Sequence, residues 1–88
     1  MNKARKVFAE TIWEFLGFDK SLMPFYEIVV RKYNDVMEVL RADDTSIWNH
    51  HYTGYDQETI AAIFDMSLAE VDHSIMATTQ RIKEALTT

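Results

Sequence analysis

Apolar residues near the start of the chain recur every three or four positions, which is the spacing of one buried helix face. The stripe consists of Val7, Phe8, Ile12, Phe15 and Leu16. Gly17 follows at once, and glycine readily adopts the left-handed conformation that ends many helices. The pattern therefore predicts a first helix over residues 3–16.

A second apolar pattern predicts a helix that starts around Ser21 and Pro24 and runs to about Leu40 or Arg41. Proline suits a first helical turn, where its missing N–H is no loss. The apolar surface of this helix is broader than one stripe. Either neighbouring helices cover it on two sides, or part of it meets a partner. The candidates for a partner or dimer surface are Trp13, Tyr26, Val30 and Val39.

Residues 42–55 are the least regular part of the sequence and are expected to form a connector. Asp43, Asp44, Thr45 and Ser46 are possible caps for a short helical segment over residues 47–52. Thr53 and Gly54 then indicate a turn. His50 and His51 are expected to be solvated in this connector.

Residues 56–86 predict two helices separated by a very short polar break. Asp56 is placed to cap the first helix, and Ser67 is placed to cap the second. The first helix has Ile60, Ile63 and Phe64 on one face, and the second, over residues 68–85, continues with Val71 and Ile75. Two caps this close together favour a sharp angle between the helices, as in a helix-turn-helix.

The residues Ile60-Ala61, Phe64, Met66-Ser67 and Val71 carry a resemblance. Their spacing resembles the helix-turn-helix in the fourth conserved region of bacterial sigma factors, which many response-regulator DNA-binding domains share. The resemblance covers the last third of the chain. It implies that Ala61 lets the helices approach closely and that Ser67 starts the recognition helix. The residues that would face the major groove are Leu68, Ala69, Asp72, His73 and Met76.

The resemblance has one departure at the turn, where Asp65 replaces the usual glycine. Aspartate tolerates left-handed backbone better than most residues, so we expect the turn to survive. The whole pattern predicts an all-α fold, a bundle of four to five helices with a C-terminal helix-turn-helix. Residues 1–88 are expected to form a single domain, in which residues 1–41 hold two N-terminal helices.

Length and composition narrow the class of protein. A chain of 88 residues forms a thin core. The absence of cysteine excludes disulfides and thiolate zinc sites. No apolar run reaches the length of a membrane span, and no signal-peptide core follows the basic N-terminus, so a cytoplasmic protein without membrane contact is expected.

The charge of the chain conflicts with the motif. The formal net charge is −5, and residues 56–88 carry six acidic residues against Arg81 and Lys83. A surface that neutralises phosphates is normally basic. The candidate DNA contacts are Ser67, Ala69, Asp72, His73, Met76, Arg81, Lys83, Lys3, Arg5 and Lys6.

Several of these candidates have a structural explanation as well. Lys3, Arg5 and Lys6 either form an arm that reaches the backbone or minor groove of DNA, or are the solvated start of a helix. Arg81 and Lys83 lie near a helix C-terminus, where cations suit the dipole. His73 either donates to DNA or is simply exposed.

Catalytic chemistry is not indicated. Adjacent histidines on a helix point about 100° apart, so His50 and His51 do not share a ligand-bearing face. There is no cysteine nucleophile and no glycine-rich phosphate loop. We expect no enzyme, no metal and no cofactor.

Two functions remain from different classes. The first is a small DNA-binding transcription regulator of bacterial or phage type, homodimeric through its aromatic N-terminal helices. The second is an acidic helical module that binds or inhibits RNA polymerase or another nucleic-acid-handling protein.

Overall fold

A computed structural model describes residues 3–88 of the protein, and this part of the chain folds as helices without strands. The five α-helices are α1 (Lys3–Phe15), α2 (Tyr26–Val39), α3 (Ala42–Tyr52), α4 (Gln57–Phe64) and α5 (Leu68–Thr87). A 3₁₀ turn, Lys20–Leu22, lies between α1 and α2. The all-α prediction is confirmed for this range. None of its helices combines the length and apolar character needed to cross a membrane.

The chain divides into two compact units. The first contains the chain as far as Glu38 together with Ile82–Thr88, and the second is Val39–Arg81. Helix α5 contributes to both units.

Helix α1 ends as its glycine predicts. Gly17 has φ 83° and donates its N–H to the Glu14 carbonyl oxygen at 2.9 Å, while Phe18 donates to the Trp13 carbonyl oxygen at 3.2 Å. The Phe18 and Trp13 rings pack with their centroids 4.5 Å apart. This is a Schellman motif with its usual hydrophobic contact. The indole N–H of Trp13 also donates to the Asp19 carbonyl oxygen at 2.7 Å, so Trp13 anchors the turn.

The start of α2 differs from the prediction. Asp19 accepts hydrogen bonds from the Ser21 backbone N–H and hydroxyl, and these bonds lower the pKa of the Asp19 carboxyl. They close the 3₁₀ turn instead of starting α2. Pro24 therefore lies before the helix, which begins at Tyr26, and is not in its first turn. A proline restricts the residue before it to extended backbone, which suits the link between the two elements.

The predicted connector over residues 42–55 is mostly a regular helix, which corrects the sequence analysis. Helix α3 has 11 residues and starts after Arg41, with no side-chain cap. Asp43 and Asp44 lie in its first turn, where carboxylates stabilise a helix through its dipole. Its only buried residues are the neighbours Ile47 and Trp48. Two adjacent apolar positions give no helical periodicity, so only the part of α3 over residues 47–52 was predicted, and its first turns were not.

The core of the second unit joins α3, α4 and α5. A cluster of buried side chains contains Ile47, Ile60, Ala61, Val71 and Ile75, and Phe64 and Met66 pack against it. Met66, in the turn between α4 and α5, thus packs inward. Ile63, which was expected on the same face as Ile60, is half exposed instead.

Candidate nucleic-acid interface

The turn between α4 and α5 is built around Asp65. Its backbone is left-handed, with φ 53° and ψ 52°. Met66 donates its N–H to the Ala61 carbonyl oxygen at 2.9 Å, and Asp65 donates to the Ala62 carbonyl oxygen at 3.4 Å. This is the same Schellman pattern that ends α1, with aspartate in the place of glycine. The expected left-handed aspartate is confirmed.

Both helices around this turn are capped by side chains. Asp56 accepts from the Thr59 N–H at 2.8 Å and caps α4. At the start of α5, Ser67 Oγ accepts from the Glu70 N–H and Glu70 Oε1 accepts from the Ser67 N–H, both at 3.1 Å. This reciprocal pair is a capping box. The bond from the Ser67 backbone lowers the pKa of Glu70, because it favours the ionised carboxylate. Both predicted caps are confirmed.

Ala61 lies where α4 and α5 approach each other. It is 9% exposed and belongs to the buried cluster with Val71 and Ile75 of α5. A small side chain here lets the two helices pack closely, as the resemblance implied.

A second contact holds α5 against α3. Ser74, which is buried on α5, donates its hydroxyl to Asp44 Oδ1 at 2.7 Å. Asp44 was expected to cap a helix, but its carboxylate instead satisfies the buried hydroxyl of Ser74.

The face of α5 away from this core is exposed to solvent. By helical geometry of about 100° per residue, five residues share a sector of roughly 140°. They are the predicted groove-facing residues Leu68, Ala69, Asp72, His73 and Met76, and all five are exposed. We call this set the α5 face. It offers apolar contact surface, one carboxylate and one imidazole. Ser67 precedes it, but its hydroxyl is used in the capping box.

Of the candidate cations, Arg81 alone belongs to the second unit. Arg81 is exposed, but it follows Asp72 by nine residues and so lies roughly 180° around the helix. Lys83, in the first unit, stacks over the Phe18 ring with Nζ 5.9 Å from its centroid. Arg5 forms an ion pair with Glu27 at 2.8 Å. Lys3 and Lys6 are exposed on α1, also in the first unit.

A groove runs along α5 beside the α5 face, next to the start of α3. Its volume is about 440 Å³. It is lined by Asp44, Met66, Ala69, Glu70, His73, Ser74 and Ala77. Ala69 and His73 thus belong to both the groove and the edge of the α5 face. Nothing in the sequence pattern pointed to this groove, because it depends on how α3 packs beside α5.

The predicted partner surface needs correction. Trp13 and Val30 are only 5% and 2% exposed, so the single chain buries both in its own core. Tyr26 is half-buried, whereas Val39 is 65% exposed and remains on the surface. Other large apolar residues are exposed in the first unit, namely Val7, Phe15, Leu22 and Phe25. The sequence pattern assigned Phe15 and Val7 to the core, since both fit the spacing of its stripe.

The histidines of α3 are not solvated as expected. His50 Nδ1 donates to the Ser46 carbonyl oxygen at 2.7 Å, and its ring meets Tyr55 and Phe64 edge-on. His51 lies beside Trp48, and burial lowers the pKa of its imidazole. Residues 3–88 contain no cluster of three or more histidine, aspartate or glutamate side chains arranged to hold a metal ion.

The net charge of the chain belongs entirely to the second unit. Val39–Arg81 has seven acidic residues against Arg41 and Arg81, a balance of −5. The remaining residues have seven acidic and seven basic side chains and are neutral as a set. The acidity noticed in the sequence therefore lies in the same unit as the α5 face.

One available signal was missed in the sequence. The segment Ser67-Leu-Ala-Glu70 has the spacing of a capping box, and it would have assigned Glu70 to the helix start instead of to the surface charge.

No model of a known protein family matches the chain, and the comparisons with curated proteins and with solved structures gave no match either.

Proposed function

We propose that α4, the turn at Asp65 and α5 form a helix-turn-helix, and that the chain is a small DNA-binding transcription regulator of bacterial or phage type. The observation that carries the proposal is the exposure of the whole α5 face on a helix whose opposite side is fixed in the core. A recognition helix needs this arrangement, because it must enter the major groove without unfolding its own support.

The side chains of the α5 face suit base edges better than phosphates. An aspartate can accept a hydrogen bond from the amino group of cytosine, and alanine can contact the thymine methyl group. His73 adds a possible donor or acceptor. Asp72 is close to Gln57, whose amide nitrogen lies 3.4 Å from Asp72 Oδ1, a long contact that a base could replace.

Few phosphate contacts are available in the second unit, so one copy of the chain should bind weakly. A dimer would place two recognition helices in successive major grooves and add their contacts. We propose that exposed apolar residues of the first unit, with Leu22 and Phe25 foremost, contribute to self-association. Sedimentation at micromolar concentration should show a dimer, and Leu22→Glu should shift the equilibrium to the monomer. A wild-type monomer at high concentration would contradict this part of the proposal.

The DNA proposal is tested by titrating random duplex DNA at low and high salt. Binding should weaken steeply with salt, with a log–log slope near −0.9 for each phosphate neutralised. Met76→Glu should reduce the affinity, because it adds a second carboxylate to the α5 face. Ile63→Glu is a matched control, since Ile63 is half exposed on α4 and lies outside that face. Absence of duplex binding at low salt would reject the proposal.

A second candidate function follows from the charge of the second unit. With a balance of −5, this unit should attract basic surfaces and bind a protein, for instance RNA polymerase or another nucleic-acid-handling protein. Neutralising Glu70 and Asp72 distinguishes the two functions. Glu70→Gln with Asp72→Asn should strengthen non-specific DNA binding, but should weaken a complex with a basic protein. Glutamine keeps the capping box, so the helix start is preserved.

A further inference from the structure

We infer that the groove between α3 and α5 binds an amphipathic helix of a partner protein, one with a stripe of small aliphatic side chains bordered by arginine or lysine. This inference rests on the second candidate function and assigns it a site. It does not involve Asp72 or Met76, so the groove and the α5 face can be tested separately.

The shape of the groove fits side chains of a helix. Its volume is about 440 Å³. The apolar part of the lining comes from Met66, Ala69 and Ala77. Ala69 and Ala77 are two helical turns apart on α5, and His73 lies between them in the lining. A helix laid into an apolar groove is a common mode of peptide recognition.

The charge of the groove selects the partner. Carboxylates of Asp44 and Glu70 lie in its lining. Each uses one oxygen in a structural hydrogen bond, Asp44 with the Ser74 hydroxyl and Glu70 with the Ser67 backbone. A carboxylate has a second oxygen and further lone pairs to offer an incoming donor. Both carboxylates are therefore held in position before binding, which lowers the entropic cost of pairing with a cation.

We assign a protein helix as the occupant because an apolar lining and two carboxylates occur together in this groove. Duplex DNA would bring phosphates against two carboxylates, which repel them. An acidic or neutral helix would fill the apolar channel and leave both carboxylates without a counter-charge. Arginine suits the margins of the groove best, since its planar guanidinium forms paired hydrogen bonds with a carboxylate.

The experiment uses the full chain and a fluorescein-labelled helical peptide of 14 residues, with an alanine and leucine stripe and arginine at both margins. A second peptide has glutamate in place of arginine. Fluorescence anisotropy should show that the arginine peptide binds at least about tenfold more tightly. Ala77→Leu fills the groove and should weaken binding at least about tenfold. Asp44→Asn should weaken it about two- to fivefold, as expected for one exposed ion pair.

Matched variants control for charge and size. Asp72→Asn removes one carboxylate from the α5 face, and Ala62→Leu enlarges an exposed alanine of α4, so both should leave peptide binding nearly unchanged. Asparagine at position 44 keeps the acceptor for Ser74, and unchanged thermal melting of each variant confirms that the fold is intact.

The outcomes of this experiment separate two claims, that the groove is the binding site and that the protein binds another protein. Tighter binding of the arginine peptide that is lost in Ala77→Leu supports the groove. A different result is that the arginine peptide binds more tightly but its binding changes with Asp72→Asn and not with Ala77→Leu or Asp44→Asn. That result would overturn the groove as the binding site and would still support the protein-binding function. Failure of the arginine peptide to bind more tightly than the glutamate peptide overturns both.

Discussion

The two units of the protein differ in how most of their carboxylates are partnered. In the first unit, three carboxylates form ion pairs, Glu27 with Arg5 and both Glu10 and Glu14 with Lys20, while Asp19 accepts hydrogen bonds from Ser21. In the second unit, carboxylates accept hydrogen bonds from backbone and hydroxyl groups. Asp56 caps α4, Glu70 closes a capping box, and Asp44 accepts from Ser74.

This difference bears on the net charge of the second unit. Besides those three acids, Asp43 and Glu58 occupy first helical turns, where the helix dipole favours them, and Asp65 forms the turn. Six of the seven acidic residues therefore have a structural explanation. The seventh is Asp72, which lies on the α5 face. A structural explanation for a carboxylate does not remove its charge, so the acidity of this unit still opposes contact with phosphates.

The largest predicted effect concerns the core of the second unit. Ala61→Leu should overpack the contact between α4 and α5 and lower the free energy of unfolding by about 1–3 kcal/mol. Ala62→Leu is the matched control, because Ala62 is the exposed neighbour and should change stability little. Thermal melting of both variants measures the difference. Equal melting temperatures for Ala61→Leu and the wild type would remove the structural basis for the close helix crossing.

The second prediction compares the two turns. A Cβ at Gly17 would meet no atom within 4 Å, so Gly17→Ala costs only backbone strain at φ 83°, about 1–2 kcal/mol. At Asp65 the strain is already present, and Asp65→Gly should relieve it and stabilise by less than about 1 kcal/mol. Denaturant unfolding should show opposite signs. Destabilisation by Asp65→Gly would mean that the aspartate side chain itself supports the turn.

The third prediction concerns the start of α5. Ser67→Ala removes the hydroxyl that accepts from the Glu70 N–H and should destabilise by about 1 kcal/mol. Ser67→Asn retains an oxygen acceptor at the cap and should recover most of the loss. Denaturant unfolding of the two variants checks this. No difference between alanine and asparagine would show that the capping box contributes nothing to stability.

Helix ends were the best-predicted part of the fold. Gly17, Asp56 and Ser67 were assigned from local chemistry and Asp65 from the resemblance, and each takes the expected conformation or hydrogen bond. Caps and left-handed turns depend on a few neighbouring residues, so a single sequence contains the necessary information. The predicted start of α2 was wrong because Asp19 and Ser21 form a competing turn, which is also a local structure.

Features that depend on tertiary packing were predicted less well than the helix ends. Trp13 and Val30 fit a surface by pattern, but they are buried, whereas Val7 fits a core and is exposed. Periodicity states which residues share a face but not what covers that face. The α3–α5 groove was missed for the same reason, since it arises from two helices far apart in sequence.

The most direct test of the central proposal is the effect of Asp72→Asn on binding to random duplex DNA at low salt. Asp43→Asn is the matched control, because it removes the same charge from the first turn of α3, outside the α5 face. If the α5 face meets DNA, Asp72→Asn should strengthen binding clearly more than Asp43→Asn does, since repulsion from phosphate falls with distance. Equal effects of the two variants, or no duplex binding by any of the proteins, would contradict the proposal.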